Sequence, residues 1–314
     1  MLQGLLVTFL WSTSWVLIKV GLDDLDLRPL SFAGLRYGLA AAILLPFGLR
    51  AIARARRSAE HARPDSRLWR LVVIYGLLFV AVAQGAQFAA LAVLPATAVN
   101  LILSTIPAAV AMLALSTAHE RPSPAQIGGI AILILGGVLY FGPFELTPVG
   151  VPGVVAALAC VAAAAVSAHL GRALARDAIG RLGGPIGLTA SSMAVGAVAL
   201  LGVGVAVEGW PQLDLAGVAI IGWLAVANTA FAFTLWNHTL RTLTAVESSV
   251  VNNTMTVQIA VLAIVFLDER LGPLQLVGLL LAAAGAAVVQ VAPLVSGWRA
   301  ARPQRGSGED LIGG

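Results

Sequence analysis

The stretch STAHERPSPAQIGGIAILILGG (residues 116–137) returns, altered but in register, as VFLDERLGPLQLVGLLLAAAGA (residues 265–286). A constant offset of 149 aligns Glu120 with Glu269, Arg121 with Arg270, Pro124 with Pro273, Gln126 with Gln275, Gly129 with Gly278 and Gly136 with Gly285. The same offset pairs Gly4 with Gly153, Leu91 with Leu240, Leu94 with Leu243, Ala96 with Ala245 and Thr105 with Thr254. The chain is therefore two copies of one unit.

Composition says what kind of unit it is. Of the 314 residues 59% are hydrophobic and 11% charged, and the mean hydropathy is +0.92, too little polar surface for a soluble domain. Apolar runs of about 20 residues, the length that crosses about 30 Å of hydrocarbon as a helix, recur along the whole chain. Ten spans are expected, near 2–21, 31–49, 68–93, 97–117, 124–142, 151–173, 184–206, 215–236, 246–267 and 273–296. Each unit holds five, an odd number, so the second enters the membrane from the opposite side and the pair forms an inverted repeat. The fold class is an all-α polytopic membrane protein of ten transmembrane helices. The first five-helix repeat covers 1–145 and the second 146–296, with a disordered, polar, Gly-rich cytoplasmic tail at 297–314. The first run has no basic residue before it and no small-x-small site after it, so it reads as a retained helix rather than a signal peptide.

Basic residues set the expected orientation. With the N-terminus inside, Arg50, Arg54, Arg56, Arg57, Arg63, Arg67, Arg70, Arg121, Arg172, Arg176, Arg181, Arg241, Arg299, Arg302 and Arg305 all fall on the cytoplasmic side. Only Arg28 and Arg270 face outward, and Lys19 and Arg36 lie within spans. Both termini are thus expected in the cytoplasm, with Trp69 and Trp298 at the inner interface and Trp210 at the outer one. The +4 charge comes from these short loops rather than from one basic face, so nucleic acid is not an expected partner. The one cysteine, Cys160, sits in an apolar run, so no intrachain disulfide forms, and no ligand-spaced cluster calls for a metal or other cofactor.

The segments FLWSTSWVLIKVGL (9–22) and SFAGLRYGLAA (31–41), with the paired HERPSPAQIGG (119–129) and DERLGPLQLVG (268–278), resemble the drug/metabolite transporter superfamily, specifically its ten-span EamA-type members. The resemblance runs over roughly 2–292 and implies two inverted five-helix repeats around a central cavity. It also implies carriage, in the export direction, of amino acids or related metabolites, with cousins that carry sugars, nucleotide sugars or phosphorylated sugars. A bacterial inner membrane is the implied location. Such proteins often have proline in the middle of both helices four and nine. Here Pro107 is present but its partner position is Thr256, so helix nine is expected to be the straighter.

Polar side chains inside spans need a partner or a wet cavity, and that selects candidates. Span nine reads ESSVVNNTMTVQIAV (247–261), with Ser249, Asn252 and Thr256 on one face and Asn253 beside them. Gln84 and Gln87 in span three, Asn100 and Ser104 in span four and Asn228 in span eight complete the polar set. The offset matches Ser104 to Asn253 and Asn100 to Ser249, so both halves put polar groups at equal depth, as a cavity at the repeat interface requires. Helix-to-helix hydrogen bonding is the competing reading. Trp11 and Trp15 in span one and Trp223 in span eight read either as lipid-facing or as a cavity wall.

Ionisable groups are few. No Asp or Glu lies at the centre of a span, which argues against organic cations as the solute. Glu247 reads as a first-turn helix charge or as a gate partner for Arg241, and His169 as a snorkelling or helix-bonding side chain. Lys19, the only lysine, has Asp23 four residues on as a partner, and with Arg36 it suggests an outer gate for a carboxylate-bearing solute. No phosphate-cradling glycine loop or intramembrane protease motif is present, so the chain reads as no enzyme. A secondary carrier, a passive channel and a non-transporting scaffold remain, and the inverted repeat with a polar midplane favours the first. The expected partners are a small-molecule substrate and the lipid bilayer, as a monomer or a homodimer.

Overall fold

The computed structural model describes residues 1–57, 66–117, 123–142, 150–239 and 242–300. Ten of its helices are long and apolar enough to cross a membrane. They are span one Leu2–Asp23, two Pro29–Arg57, three Ser66–Leu91, four Ala96–Leu113, five Pro124–Phe141, six Gly150–Ala175, seven Pro185–Glu208, eight Leu215–Trp236, nine Glu247–Phe266 and ten Pro273–Ala292. Span two outruns its apolar part because Arg54, Arg56 and Arg57 occupy its last turn, where cations complement the helix dipole. The last helix continues to Ala300, so the segment expected to start the tail at 297 begins as helix. Arg241, residues 301–314 and the side chain of Trp298 lie outside what is described.

Local chemistry starts the spans where they start. Ser123 accepts from the Gln126 N–H and Gln126 reaches back, a capping box with Pro124 in the first turn. Asp214 accepts from the Gly217 N–H at 2.7 Å. Two helix starts are capped from afar. Glu208 accepts from the N–H groups of Leu30 and Ser31 and from the Ser31 hydroxyl at 2.7–2.9 Å. Glu269 does the same for Ala96 and Thr97. A carboxylate at a helix N-terminus meets both orphan donors and the positive end of the dipole.

The inversion is visible in the contacts. Span one meets span nine with ascending register, Thr8 beside Thr254 and Ser12 donating to Gln258, so these two spans run parallel. Span one is antiparallel to span four within its own repeat, so span nine, the equivalent of span four, is turned over. Spans five and ten cross the other way: Gly129 lies against Gly285 and Gly136 against Gly278. Adding 149 to one member of either pair and subtracting it from the other interchanges the two pairs, as a two-fold relation demands. Gly4 against Leu243 and Gly153 against Leu94 form a second interchanging set. These glycines let backbones approach where association rests on packing rather than on the hydrophobic effect.

One symmetric feature has no sequence signature. Spans three and eight each widen into a π turn, at Leu77–Val82 and Val226–Phe231, again 149 apart. Just before the first, Gly76 and Gly196 bring spans three and seven into backbone contact. Spans four and nine differ as their prolines predict. Span four breaks between Leu103 and Ile106, because Pro107 has no N–H for the Leu103 carbonyl, whereas span nine is continuous from Ala245 to Phe266.

Candidate functional site

A cavity of about 280 Å³ lies near mid-depth between spans one, four, nine and ten. Six of the expected residues meet there: Trp15, Asn100, Ser104, Asn252, Asn253 and Thr256. The break at Pro107 opens its wall. Ser104 and Thr105 turn their hydroxyls onto the carbonyls of Leu101 and Ile102 at 2.6 Å, meeting backbone acceptors where the helix falters. Asn100 donates to the Thr256 carbonyl at 2.9 Å and ties the two halves across the cavity.

The floor is a closed amide network. Ser249 donates to Gln290 Oε1 at 3.0 Å, Gln290 Nε2 donates to Asn253 Oδ1 at 3.0 Å, and Asn253 Nδ2 donates to the Ser249 carbonyl at 3.1 Å. The amide of Asn252 is exposed into the cavity and has no hydrogen-bond partner among the described residues. Every lining side chain is neutral. Gln290 escaped the sequence reading although it is a lone amide in an apolar run, because its repeat partner is Phe141 and the offset search passed over it. Thr8, Ser12, Thr254 and Gln258 escaped it too. Their i, i+4 spacing on spans one and nine was the available signal, and they form the polar ladder between those helices.

Several expected cavity residues sit elsewhere. Trp223 is 56% exposed on the outer face of span eight, where its ring meets lipid. Trp11 packs on Phe233 and Trp236 at 5.4 Å and belongs to the seam between spans one and eight. Gln84 accepts the Tyr37 hydroxyl at 2.6 Å, and neither it nor Gln87 borders the cavity, because span three contributes none of its wall. Asn228 is fully buried and donates to the Leu10 carbonyl and to Thr13, which makes it helix-to-helix glue.

The charged candidates separate as well. Lys19 is paired with Asp23 at 3.0 Å, as its i, i+4 spacing predicts, and also donates to the Leu91 carbonyl at 2.9 Å, stapling spans one and three. It lines a second cavity, about 470 Å³, with Asp23, Asp24, Asp268 and Glu269 at the far end of the seam between spans one, four and nine. Arg36 does not share it. That guanidinium turns to Thr229 on span eight, so the expected pairing of Lys19 with Arg36 in one gate does not form. Glu247 is the acid of a capping box with Thr244, and its expected gate pairing with Arg241 lies outside the described residues. His169 pairs with Arg172 at 3.0 Å on the end of span six.

Between the two cavities, Ile18, Val99 and Ala263 belong to one buried cluster with Ile259 of the mid-depth cavity wall, and along each helix these three fall between the lining residues of one cavity and those of the other. The seam is closed by apolar packing, with no ion pair across it among the described residues.

The EamA-like transporter family matches this chain twice, over residues 1–142 and 151–291. A solved structure described only as "Crystal structure of protein" is similar at 20% identity with a TM-score of 0.64, covering 96% of this chain and 98% of its own, which speaks for the fold alone. The comparison with curated proteins returns no match.

Proposed function

The chain belongs to the EamA-like transporter family, membrane transporters of the drug/metabolite type, and from that premise we propose that it is a secondary carrier for small polar or zwitterionic metabolites, amino acids or close relatives. The proposed direction is export across a bacterial inner membrane, with both termini in the cytoplasm. The observation that carries the substrate reading is the wall of the mid-depth cavity: it is uncharged throughout, with amides and hydroxyls set among apolar side chains, and one amide, Asn252, has no partner among the described residues. Neutral donors and acceptors suit a solute rich in hydrogen bonds and give no counter-ion to an organic cation. Alternating access then means parting the apolar plug of Ile18, Val99 and Ala263 while the inner half of the seam closes.

Purified protein in liposomes is expected to move amino acids saturably and to show counterflow. Flux that rises linearly with concentration and shows no counterflow would make it a channel, and no flux of any solute a scaffold. Asn252→Ala and Asn253→Ala should each lower transport about tenfold, the scale of one lost ligand hydrogen bond of about 1.4 kcal/mol, with folding intact. Trp223→Leu, on the lipid face, should transport at the native rate. If both Asn variants also keep the native rate over an amino-acid panel, this cavity is not the binding site.

A further inference from the structure

Arg36 is a cation in the wrong place for a structural residue. It is 4% exposed and sits about 10 Å into span two from Pro29, inside the hydrocarbon depth. Its Nε donates to Thr229 Oγ1 at 3.1 Å, and the guanidinium carbon lies 5.1 Å from the Tyr37 ring centre and 5.9 Å from that of Phe88. All three partners are neutral. No carboxylate among the described residues forms an ion pair with it, and the Thr229 bond is its only hydrogen bond there. Guanidinium does not shed its proton in a protein, so the charge stays, and two forked N–H₂ groups are left without acceptors.

The surroundings hold it ready rather than neutralise it. Thr229 belongs to the π turn of span eight and gives its own proton to the Leu224 carbonyl at 2.8 Å, which turns an oxygen lone pair toward Arg36. Tyr37 is fixed from behind by its bond to Gln84. Around the same turn two more polar atoms are buried without partners, the Asn228 side-chain oxygen and the Trp11 indole nitrogen. The uncompensated cation and the unused donor lack an anion, and the unused amide oxygen lacks a donor. Trp15 of the mid-depth cavity wall belongs to the same buried cluster as Tyr37 and Phe88, the ring partners of Arg36.

We propose that Arg36 anchors the carboxylate of the transported solute through its two free N–H₂ groups, the bidentate geometry in which guanidinium and carboxylate match. This rests on the carrier reading above and narrows it: the solute must bear a carboxylate, and neutral sugars are excluded.

The test uses the full chain in detergent. Thermal unfolding is followed with L-threonine, L-glutamine and L-phenylalanine, each against its carboxamide, for the native protein, Arg36→Gln and Arg36→Lys. At least one acid should raise the native Tm while its amide does not. Arg36→Gln should weaken the apparent affinity for that acid at least tenfold, and Arg36→Lys should fall between. Amides that stabilise as well as acids, an Arg36→Gln variant with unchanged affinity, or no response of the native protein to any acid would overturn the site. If Arg36→Gln is not monodisperse, the comparison of acid with amide on the native chain decides. Counterflow in liposomes reads the carrier separately. Saturable flux indifferent to the carboxylate sinks the anchor and spares the carrier; acid binding through Arg36 without flux does the reverse.

Discussion

Gly278→Leu should leave little folded protein, and whatever folds should be less stable by about 3 kcal/mol or more, read as thermal loss of the monodisperse species in detergent. A Cβ at Gly278 would stand 2.6 Å from the Gly136 carbonyl oxygen and from the Tyr140 nitrogen. Both are backbone atoms of span five, so no rotamer change relieves the clash, and the two helices must part along their length. The neighbouring glycines supply the contrast. A Cβ at Gly128 or at Gly137 meets nothing within 4 Å. Gly128→Ala and Gly137→Ala should therefore be neutral or stabilising by about 0.5–1 kcal/mol, since alanine orders a helix at lower entropic cost. The pairs Gly128–Gly129 and Gly136–Gly137 thus contain one tolerant and one intolerant member each, and the intolerant ones are those the 149 offset matches to glycine in the other repeat. A native Tm for Gly278→Leu would mean that spans five and ten do not pack as described.

That agreement shows what a single sequence exposes in a protein of this kind. A repeat displays its own constraints twice, so Gly129, Gly136, Gly278 and Gly285 stood out without any relative to compare. Span limits followed from hydropathy, because lipid demands an unbroken apolar run. Facing did not follow. Trp223 sits in a stretch of span eight, Leu215–Ala225, that is apolar on every side, so no polar stripe tells core from lipid there, and only packing put it outside the cavity. The site was half legible for a related reason. Asn100 and Ser104, and Asn252, Asn253 and Thr256, cluster in sequence, while Gln290 is a single polar residue whose partners, Ser249 and Asn253, stand on another span. The π turns at Leu77–Val82 and Val226–Phe231 could not be read at all, since no residue type specifies a wide turn and the backbone widens where packing asks for it.

Glu269→Ala should lower stability by about 2 kcal/mol and, in liposomes, loosen this end of the transporter so that solute leaks down its gradient without counterflow. The carboxylate holds the start of span four from the far side of the molecule: Ala96 N–H at 2.5 Å, Thr97 N–H at 3.2 Å and the Thr97 hydroxyl at 2.6 Å. Losing an N-cap acceptor costs about 0.5–2 kcal/mol, and the bonds here are charge-assisted, which puts the expectation at the upper end even with the group partly exposed. Since Thr97 gives its proton to Glu269, the Tyr140 hydroxyl must donate to Thr97, at 2.6 Å, and the cap thereby fixes span five as well. Glu269→Gln keeps one acceptor oxygen and should lose about 1 kcal/mol, with coupling between influx and efflux partly preserved. The leak separates this role from a purely structural one. Glu269 lines the second cavity beside Lys19, Asp23 and Asp268, just beyond the apolar plug at Val99 and Ala263. A cap that only stabilised the fold would change Tm and leave tight coupling in the protein that remained folded. A Glu269→Ala variant with lowered Tm but undiminished counterflow and no leak would confine this residue to the fold and leave the closure at this end to the plug alone.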